Sequence, residues 1–174
     1  MSHRGFPPVA TRGARVLVLG SLPGAESLRR REYYAQPRNA FWTILGAIAG
    51  AAPELAYGAR LARLEDAGIA LWDVCATARR VGSLDAAIER DSVVPNDFAA
   101  FYAAHPYIAR LCFNGRVAAT LYRRHVLPRL GAHARELQVI ELPSTSPAHA
   151  SMSLAEKTAR WRHALAGATA HDQA

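Results

Sequence analysis

The chain has 174 residues, 51% of them hydrophobic and 20% charged, which suits one globular domain with a real core. No apolar run approaches the roughly 18 residues of a membrane span, and none follows Arg4 and Arg12 as in a signal peptide, so a cytoplasmic protein with no membrane partner is expected. The net charge is +7, nearly all of it arginine because Lys157 is the only lysine; this favours a polyanionic partner, although solubility alone also accounts for an arginine-rich surface.

Residues 1–13 are polar, with Gly and Pro, and read as a loose end. Residues 14–21 (ARVLVLGS) form an apolar, β-branched run stopped by glycine, the mark of a buried strand. Residues 22–38 mix Pro, Gly and charge without a period and read as a long, functional loop. Residues 39–50 have helical spacing at Phe41, Ile44, Leu45 and Ile48. A second helix spans 53–68, with Pro53 in its first turn and Gly68 at its end. IALWDV (69–74) is a strand, followed by a polar connection. The next helix, 95–105, is capped by Asn96 or Asp97. YIARLCFNG (107–115) is a third strand, and the helix after it ends or kinks at Pro128. LQVIELP (137–143) is a fourth strand. Ser153 and Glu156 form a capping box for a last helix to about Ala166.

Strands alternating with helices give an α/β fold, a three-layer sandwich with a mainly parallel sheet of about four strands and helices on both faces. Ligands in such sheets bind at the carboxyl ends of the strands. That rule gathers GSLPG (20–24), WDV (72–74), FNG (113–115) and LPSTSP (142–147).

Several familiar sites are missing. There is no nucleophile elbow, no P-loop and no dinucleotide fingerprint. His105, His125, His133 and His149 are scattered without zinc-ligand spacing, and Cys75 and Cys112 sit in apolar runs as inert core thiols. No metal and no cofactor is expected. In GSLPG, Gly20, Ser21, Pro23 and Gly24 make a turn that lets backbone N–H groups approach an anion or a base edge, or merely connects a strand to a loop. LPSTSPA sets Ser144, Thr145 and Ser146 between two prolines, either as donors to phosphate oxygens or as a rigid surface turn. Asp73 ends the second strand, free to accept a hydrogen bond or to cap the next turn. YYAQPRNAFW (33–42) is the odd stretch, because Pro-Arg-Asn interrupts four large aromatics and a buried Arg or Asn is costly unless paired. It reads as a loop that presents something to a ligand.

VLVLGSLPGAESLRRREYYAQPRNAFWTIL resembles the first signature of the uracil-DNA glycosylase superfamily. The hypoxanthine-DNA (deoxyinosine) glycosylases are the nearest branch, and the mismatch-specific uracil glycosylases come next. LPSTSPA is similar to the second signature, a DNA-clamping serine loop. LWDVCATARRVGSLDAAI and FNG are similar to intermediate segments of the hypoxanthine branch. The resemblance runs from about Arg15 to Ser151 and implies one glycosylase domain over residues 1–174, acting as a monomer. Its partner is double- or single-stranded DNA containing a damaged base, which must be extruded to be reached.

The resemblance also implies roles. Tyr34 matches the aromatic that stacks on the flipped base, and Asn39 matches the catalytic asparagine that places the attacking water. Ser21 and Asp73 would face the base; Gly20, Pro23, Gly24, Ser144, Thr145 and Ser146 would face the DNA. A carboxylate at 73 only accepts, so it would take N1–H of hypoxanthine or, equally, N3–H of uracil. Phe41 and Trp42 would anchor the helix. Asn114 and Gly115 would open a helix beside the DNA backbone. Two positions depart from the pattern. Leu22 stands where much of the superfamily has Asp or Asn, which moves water placement to Asn39. Leu142 stands where some branches have His or Asn, and it donates no hydrogen bond. A uracil or mismatch-specific glycosylase, a catalytically silent nucleic-acid-binding relative and a small-molecule enzyme acting on a nucleoside or nucleotide are the alternatives.

Overall fold

The computed structural model describes residues 2–131 and 136–167. In chain order the strands are β1 (Ser2–Arg4), β2 (Val16–Gly20), β3 (Ile69–Asp73), β4 (Cys75–Arg79), β5 (Val94–Pro95), β6 (Arg110–Asn114) and β7 (Gln138–Leu142). The helices are α1 (Ala25–Arg30), α2 (Phe41–Ala49), α3 (Tyr57–Asp66), α4 (Phe98–Ala104), α5 (Arg116–His125) and α6 (Leu154–Leu165). Four strands make a parallel sheet in the order β3-β2-β6-β7.

Period-two alternation divides the apolar strand residues between the two faces of this sheet. Val16, Val18, Ile69, Leu71 and Cys112 pack with Phe41, Trp42, Leu64 and Trp161 from α2, α3 and α6. Leu17, Leu19, Trp72, Leu111 and Phe113 pack with Phe98, Tyr102, Ala119 and Tyr122 from α4 and α5. The result is the expected α/β sandwich, with helices on both faces of a mostly parallel sheet. No helix among the described residues is long and apolar enough to cross a membrane.

Four stretches differ from the sequence reading. The N-terminal segment is not loose: β1 pairs with β4, Val9 exchanges two backbone bonds with Leu71, and the Phe6 and Pro7 carbonyls accept from the Trp72 indole and the Tyr33 hydroxyl at 3.0 Å each. These ties run largely through the backbone, so composition hides them. The 22–38 stretch contains α1, a short helix with no side-chain cap. The polar connection after β3 holds β4 and β5, which with β1 form a small antiparallel sheet in the order β1-β4-β5. Helix α3 starts at Tyr57 with Ala56 as its N-cap, so Pro53 lies in the turn before it and not in its first turn, while Gly68 does follow its end. Asp97 caps α4, α5 stops at His125 before a 3-10 turn containing Pro128, and Ser153 and Glu156 form the capping box of α6.

Candidate active site

The carboxyl ends of β2, β3, β6 and β7 open into one cleft of about 880 Å³. Its lining includes Gly20–Gly24 from the β2 turn, Tyr34 and Asn39 from the aromatic loop, Asp73, Asn114 and the 144–149 loop. The sequence-predicted site residues therefore share one cavity.

At its floor, Asp73 is 3% exposed and its Oδ2 has no hydrogen-bond partner. The Tyr34 hydroxyl is also buried without a partner. Both groups lie over Gly20, where an added methyl would collide with Asp73 Oδ1 and come within 2.9 Å of the Tyr34 hydroxyl. Glycine at 20 is thus required by close approach. Burial, with help from the nearby Asp85 carboxylate and against the pull of Arg80, pushes the Asp73 carboxyl up to about 8. With its carboxyl pushed this far up, Asp73 leans toward the neutral form at pH 7, where the acceptor-only expectation assumed a carboxylate. A neutral carboxyl presents an O–H donor beside a C=O acceptor.

Tyr34 has a left-handed backbone (φ 53°) that turns its ring onto Phe41, with centroids 3.9 Å apart. Phe41 itself is fully buried, and the Trp42 indole donates to the Tyr33 carbonyl at 2.9 Å. Asn39 stands half-buried on the rim. Its Oδ1 accepts the Phe41 N–H at 3.0 Å, so the amide is fixed by the first turn of α2.

The serine loop is fastened from inside. The Asn114 side chain donates to Thr145 Oγ1 and accepts the Thr145 N–H, both at 2.9 Å. Thr145 is 1% exposed, and its hydroxyl serves as an internal staple where the sequence reading had it as a donor to phosphate. Ser144 and Ser146 stay half-buried along the cleft, each accepting a backbone N–H two residues on. Helix α6 holds both ends of the loop, through the Trp161 indole to the Pro143 carbonyl at 3.0 Å and the Lys157 ammonium to the His149 carbonyl at 2.6 Å. Leu142 is buried at the end of β7.

Sequence reasoning missed Arg80. Its side chain is fully buried, and its guanidinium donates to the carbonyls of Leu22 (3.2 Å), Pro23 (2.5 Å) and Gly82 (3.1 Å), with Asp85 at 3.6 Å. Gly20 and Pro23 accordingly line the cleft as buried supports, and Gly24 is the half-exposed member of that turn. Nothing in the sequence separates Arg80 from the exposed Arg79 beside it. Lys157 did carry a signal, as the one lysine among so many arginines. Asp85, also unassigned, faces Ser21 and Arg80, while its partial burial pushes its carboxyl upward. Among the described residues no cluster of three or more His, Cys, Asp or Glu side chains is placed to hold a metal ion. Arg38 and Arg116 lie exposed on the rim, putting positive charge at the mouth.

A sequence model of the Uracil DNA glycosylase superfamily matches residues 7–166. A hypoxanthine DNA glycosylase of Methanosarcina acetivorans is 38% identical over 154 residues, covering 88% of this chain and 92% of that protein. A hypoxanthine DNA glycosylase of Methanosarcina barkeri is 38% identical over 117 residues, covering 67% of this chain and 73% of that protein. The solution NMR structure of an M. acetivorans protein provisionally assigned as a uracil DNA glycosylase superposes with a TM-score of 0.74 and 36% identity, over 94% of this chain and 98% of that one. With the superfamily model spanning most of the chain and both curated relatives on one branch, this protein belongs to the uracil DNA glycosylase superfamily, on the branch of the hypoxanthine DNA glycosylases.

Proposed function

We propose that this protein is a monofunctional DNA glycosylase that extrudes a deaminated base, hypoxanthine by preference, and hydrolyses its N-glycosidic bond with a placed water. The observation that carries this reading is the pair of unpartnered buried polar atoms at the cleft floor, Asp73 Oδ2 and the Tyr34 hydroxyl. Each such atom costs roughly 1–3 kcal/mol, and a base edge that meets both recovers that cost.

A neutral Asp73 matches a lactam edge. One oxygen accepts N1–H of hypoxanthine while the O–H donates to O6. Uracil offers the same pattern with a smaller ring, so depth of the pocket has to favour the purine. Adenine can meet a neutral carboxyl with the roles reversed, so its rejection falls to the Ser21 and Leu22 amides, which make no backbone bond among the described residues. The second lone pair of O6 accepts such an N–H, whereas the second N6–H of adenine opposes it. Tyr34, its ring backed by Phe41, offers its other face as the stacking surface in this reading.

Asn39 places the water. One lone pair of its oxygen is spent on the helix, which fixes the amide, and the rest of the group remains to hold a water under the sugar. As the C1′–N9 bond breaks, its electron pair moves onto the purine and the sugar becomes oxocarbenium-like. The hydrogen bond from Asp73 to O6 strengthens as that charge grows, and the Ser21 and Leu22 amides assist. The water oxygen bonds to C1′ and its proton passes to solvent. Placement of a weakly engaged water can supply several kcal/mol without a strong base.

A panel of oligonucleotides, each carrying one hypoxanthine, uracil or xanthine and scored for alkali-labile abasic sites, tests the reading. Fastest release of hypoxanthine is expected. Hydrolysis of free nucleosides with no release from DNA would point to the small-molecule enzyme, and binding with no release to the silent relative.

A further inference from the structure

We propose that Ser27 is the positioning residue for Tyr34: its hydroxyl holds the peptide that follows Tyr34 and so keeps the ring turned toward an extruded base. This rests on the reading that Tyr34 stacks on that base. Among the described residues, only Arg31 (φ 57°) and Tyr34 (φ 53°) have a left-handed backbone without being glycine. Side chains disfavour that region, and a residue stays there only when its surroundings hold it. Both residues are tied to Ser27. The Ser27 carbonyl accepts the Arg31 N–H at the end of α1 and the Glu32 N–H at 3.1 Å. The Ser27 hydroxyl accepts the Ala35 N–H at 3.1 Å.

The hold on Tyr34 is two-sided and uneven. Before it, the Tyr33 N–H donates to the Tyr57 hydroxyl at 3.0 Å, and the Tyr33 carbonyl accepts the Trp42 indole N–H at 2.9 Å. The Tyr33 hydroxyl also donates to the Pro7 carbonyl at 3.0 Å. After it, Ser27 stands alone: among the described residues, no other hydrogen bond reaches the peptide between Tyr34 and Ala35. The next bonds along the chain are local, from the Arg38 and Asn39 N–H groups to Gln36. Without the Ser27 hydroxyl that peptide can rotate, and Tyr34 can leave the left-handed region.

Ser27 is placed to act through the loop. It lies on α1 beside the cleft, it is 5% exposed, and its bond runs to the loop backbone. A ring fixed in advance loses little freedom when a base stacks on it. Undamaged duplex sets no base on Tyr34. The benefit therefore belongs to the rate on a lesion and not to the affinity for ordinary DNA.

The test is a rate cycle on a hypoxanthine-containing duplex, in single-turnover assays of wild type, Ser27→Ala, Tyr34→Ala and the double variant, with Ser27→Cys alongside. Ser27→Ala should lose about tenfold, and Tyr34→Ala about ten- to a hundredfold. In the Tyr34→Ala background, Ser27→Ala should change the rate by no more than about twofold, because the ring it positions is gone. Ser27→Cys keeps a weak acceptor and should fall between Ser27→Ala and wild type. Denaturation midpoints identify the folded variants, and Ser27→Cys carries the same cycle if Ser27→Ala does not fold. Affinity for undamaged duplex should stay within about twofold throughout. Equal losses in both backgrounds would reduce Ser27 to a support of the fold, and no loss in either would remove its role; each overturns the proposal. A folded Tyr34→Ala enzyme at the wild-type rate, or a wild type that releases no hypoxanthine, would overturn the base-stacking reading itself and the role of Ser27 with it.

Discussion

Asn114 and Thr145 are joined by two hydrogen bonds of 2.9 Å each, in a site where both residues are buried. The pair locks the end of β6 to the serine loop, so the loop is placed by the sheet and not by its own prolines. Asn114→Ala should therefore cost about 2–3 kcal/mol, because the Thr145 N–H and hydroxyl are left unpaired away from water. Thr145→Val alone should cost somewhat less. In a double-mutant cycle followed by urea denaturation, a coupling energy of at least about 1 kcal/mol is expected. Strict additivity would mean that the two contacts carry no energy.

Asn39 has two jobs that can be separated. Its Oδ1 supports the first turn of α2, and its amide is the proposed water holder. Asn39→Ala should lose both, with about 1 kcal/mol of stability and roughly a hundred- to a thousandfold of turnover. Asn39→Ser keeps a capping oxygen, so it should recover the stability but not the rate. DNA affinity should stay near normal in both. A folded Asn39→Ser enzyme with full activity would remove Asn39 from the chemistry.

Asp73 sets a pH dependence whose sign follows from its raised folded-state value, about 8. The unfolded chain ionises this group near its ordinary value, around 4. Its contribution to stability is therefore fully present below pH 4 and is lost, at about 1.4 kcal/mol per pH unit, as the pH rises toward 8. Turnover should fall above the same point, as the donor to O6 disappears. Asp73→Asn supplies a permanent donor beside an acceptor, so it should keep its rate at pH 7 within about threefold and show no basic limb. If Asp73→Asn is inactive at pH 7 while folded, an ionised carboxylate is what the reaction needs.

The sheet was legible because its strands are short apolar runs ending in Gly20, Asp73, Asn114 and Leu142, and the rule for parallel sheets then placed the cleft. The caps of α4 and α6 were legible because Asp97 and Ser153 act within three residues of themselves. The ties of the N-terminal segment were not, since they run largely through backbone groups that any sequence carries. Arg80 was hidden for a related reason: its partners, Leu22 and Pro23, lie 58 and 57 residues away and offer only carbonyls. The upward push on the Asp73 carboxyl was hidden because it comes from burial, which has no local signature. Thr145 looked like its neighbours Ser144 and Ser146 until the fold turned it inward.

Exposed arginines at the cleft mouth should set the salt response. Neutralising about four phosphates gives a slope near −3.6 in a log–log plot of affinity against salt. Removing Arg38 or Arg116, both exposed on the rim, should each make that slope shallower by about 0.9 and weaken all duplexes alike. An unchanged slope in both variants would place the DNA on another face.

Arg80 offers the sharpest separation of structure from function. One guanidinium bonds the carbonyls of the Leu22–Pro23 turn and of Gly82, which ties the two turns together. Arg80→Met keeps the apolar stem but leaves three carbonyls without a donor, and should cost about 3–5 kcal/mol. That variant reads stability only. Arg80→Lys is the informative one, because an ammonium is a compact donor that cannot reproduce the planar fork. It should stay folded yet leave the Leu22–Pro23 turn under-held, displacing the Ser21 and Leu22 amides from the base. Since the proposed role of those amides is to stabilise charge that appears only as the bond breaks, the loss should fall on turnover and leave DNA binding nearly unchanged. Single-turnover rates at saturating enzyme, set beside binding isotherms and denaturation midpoints, make the comparison. A fall of tenfold or more in rate with affinity held within about twofold is expected. Equal losses in rate and affinity would show that Arg80 merely holds the fold together.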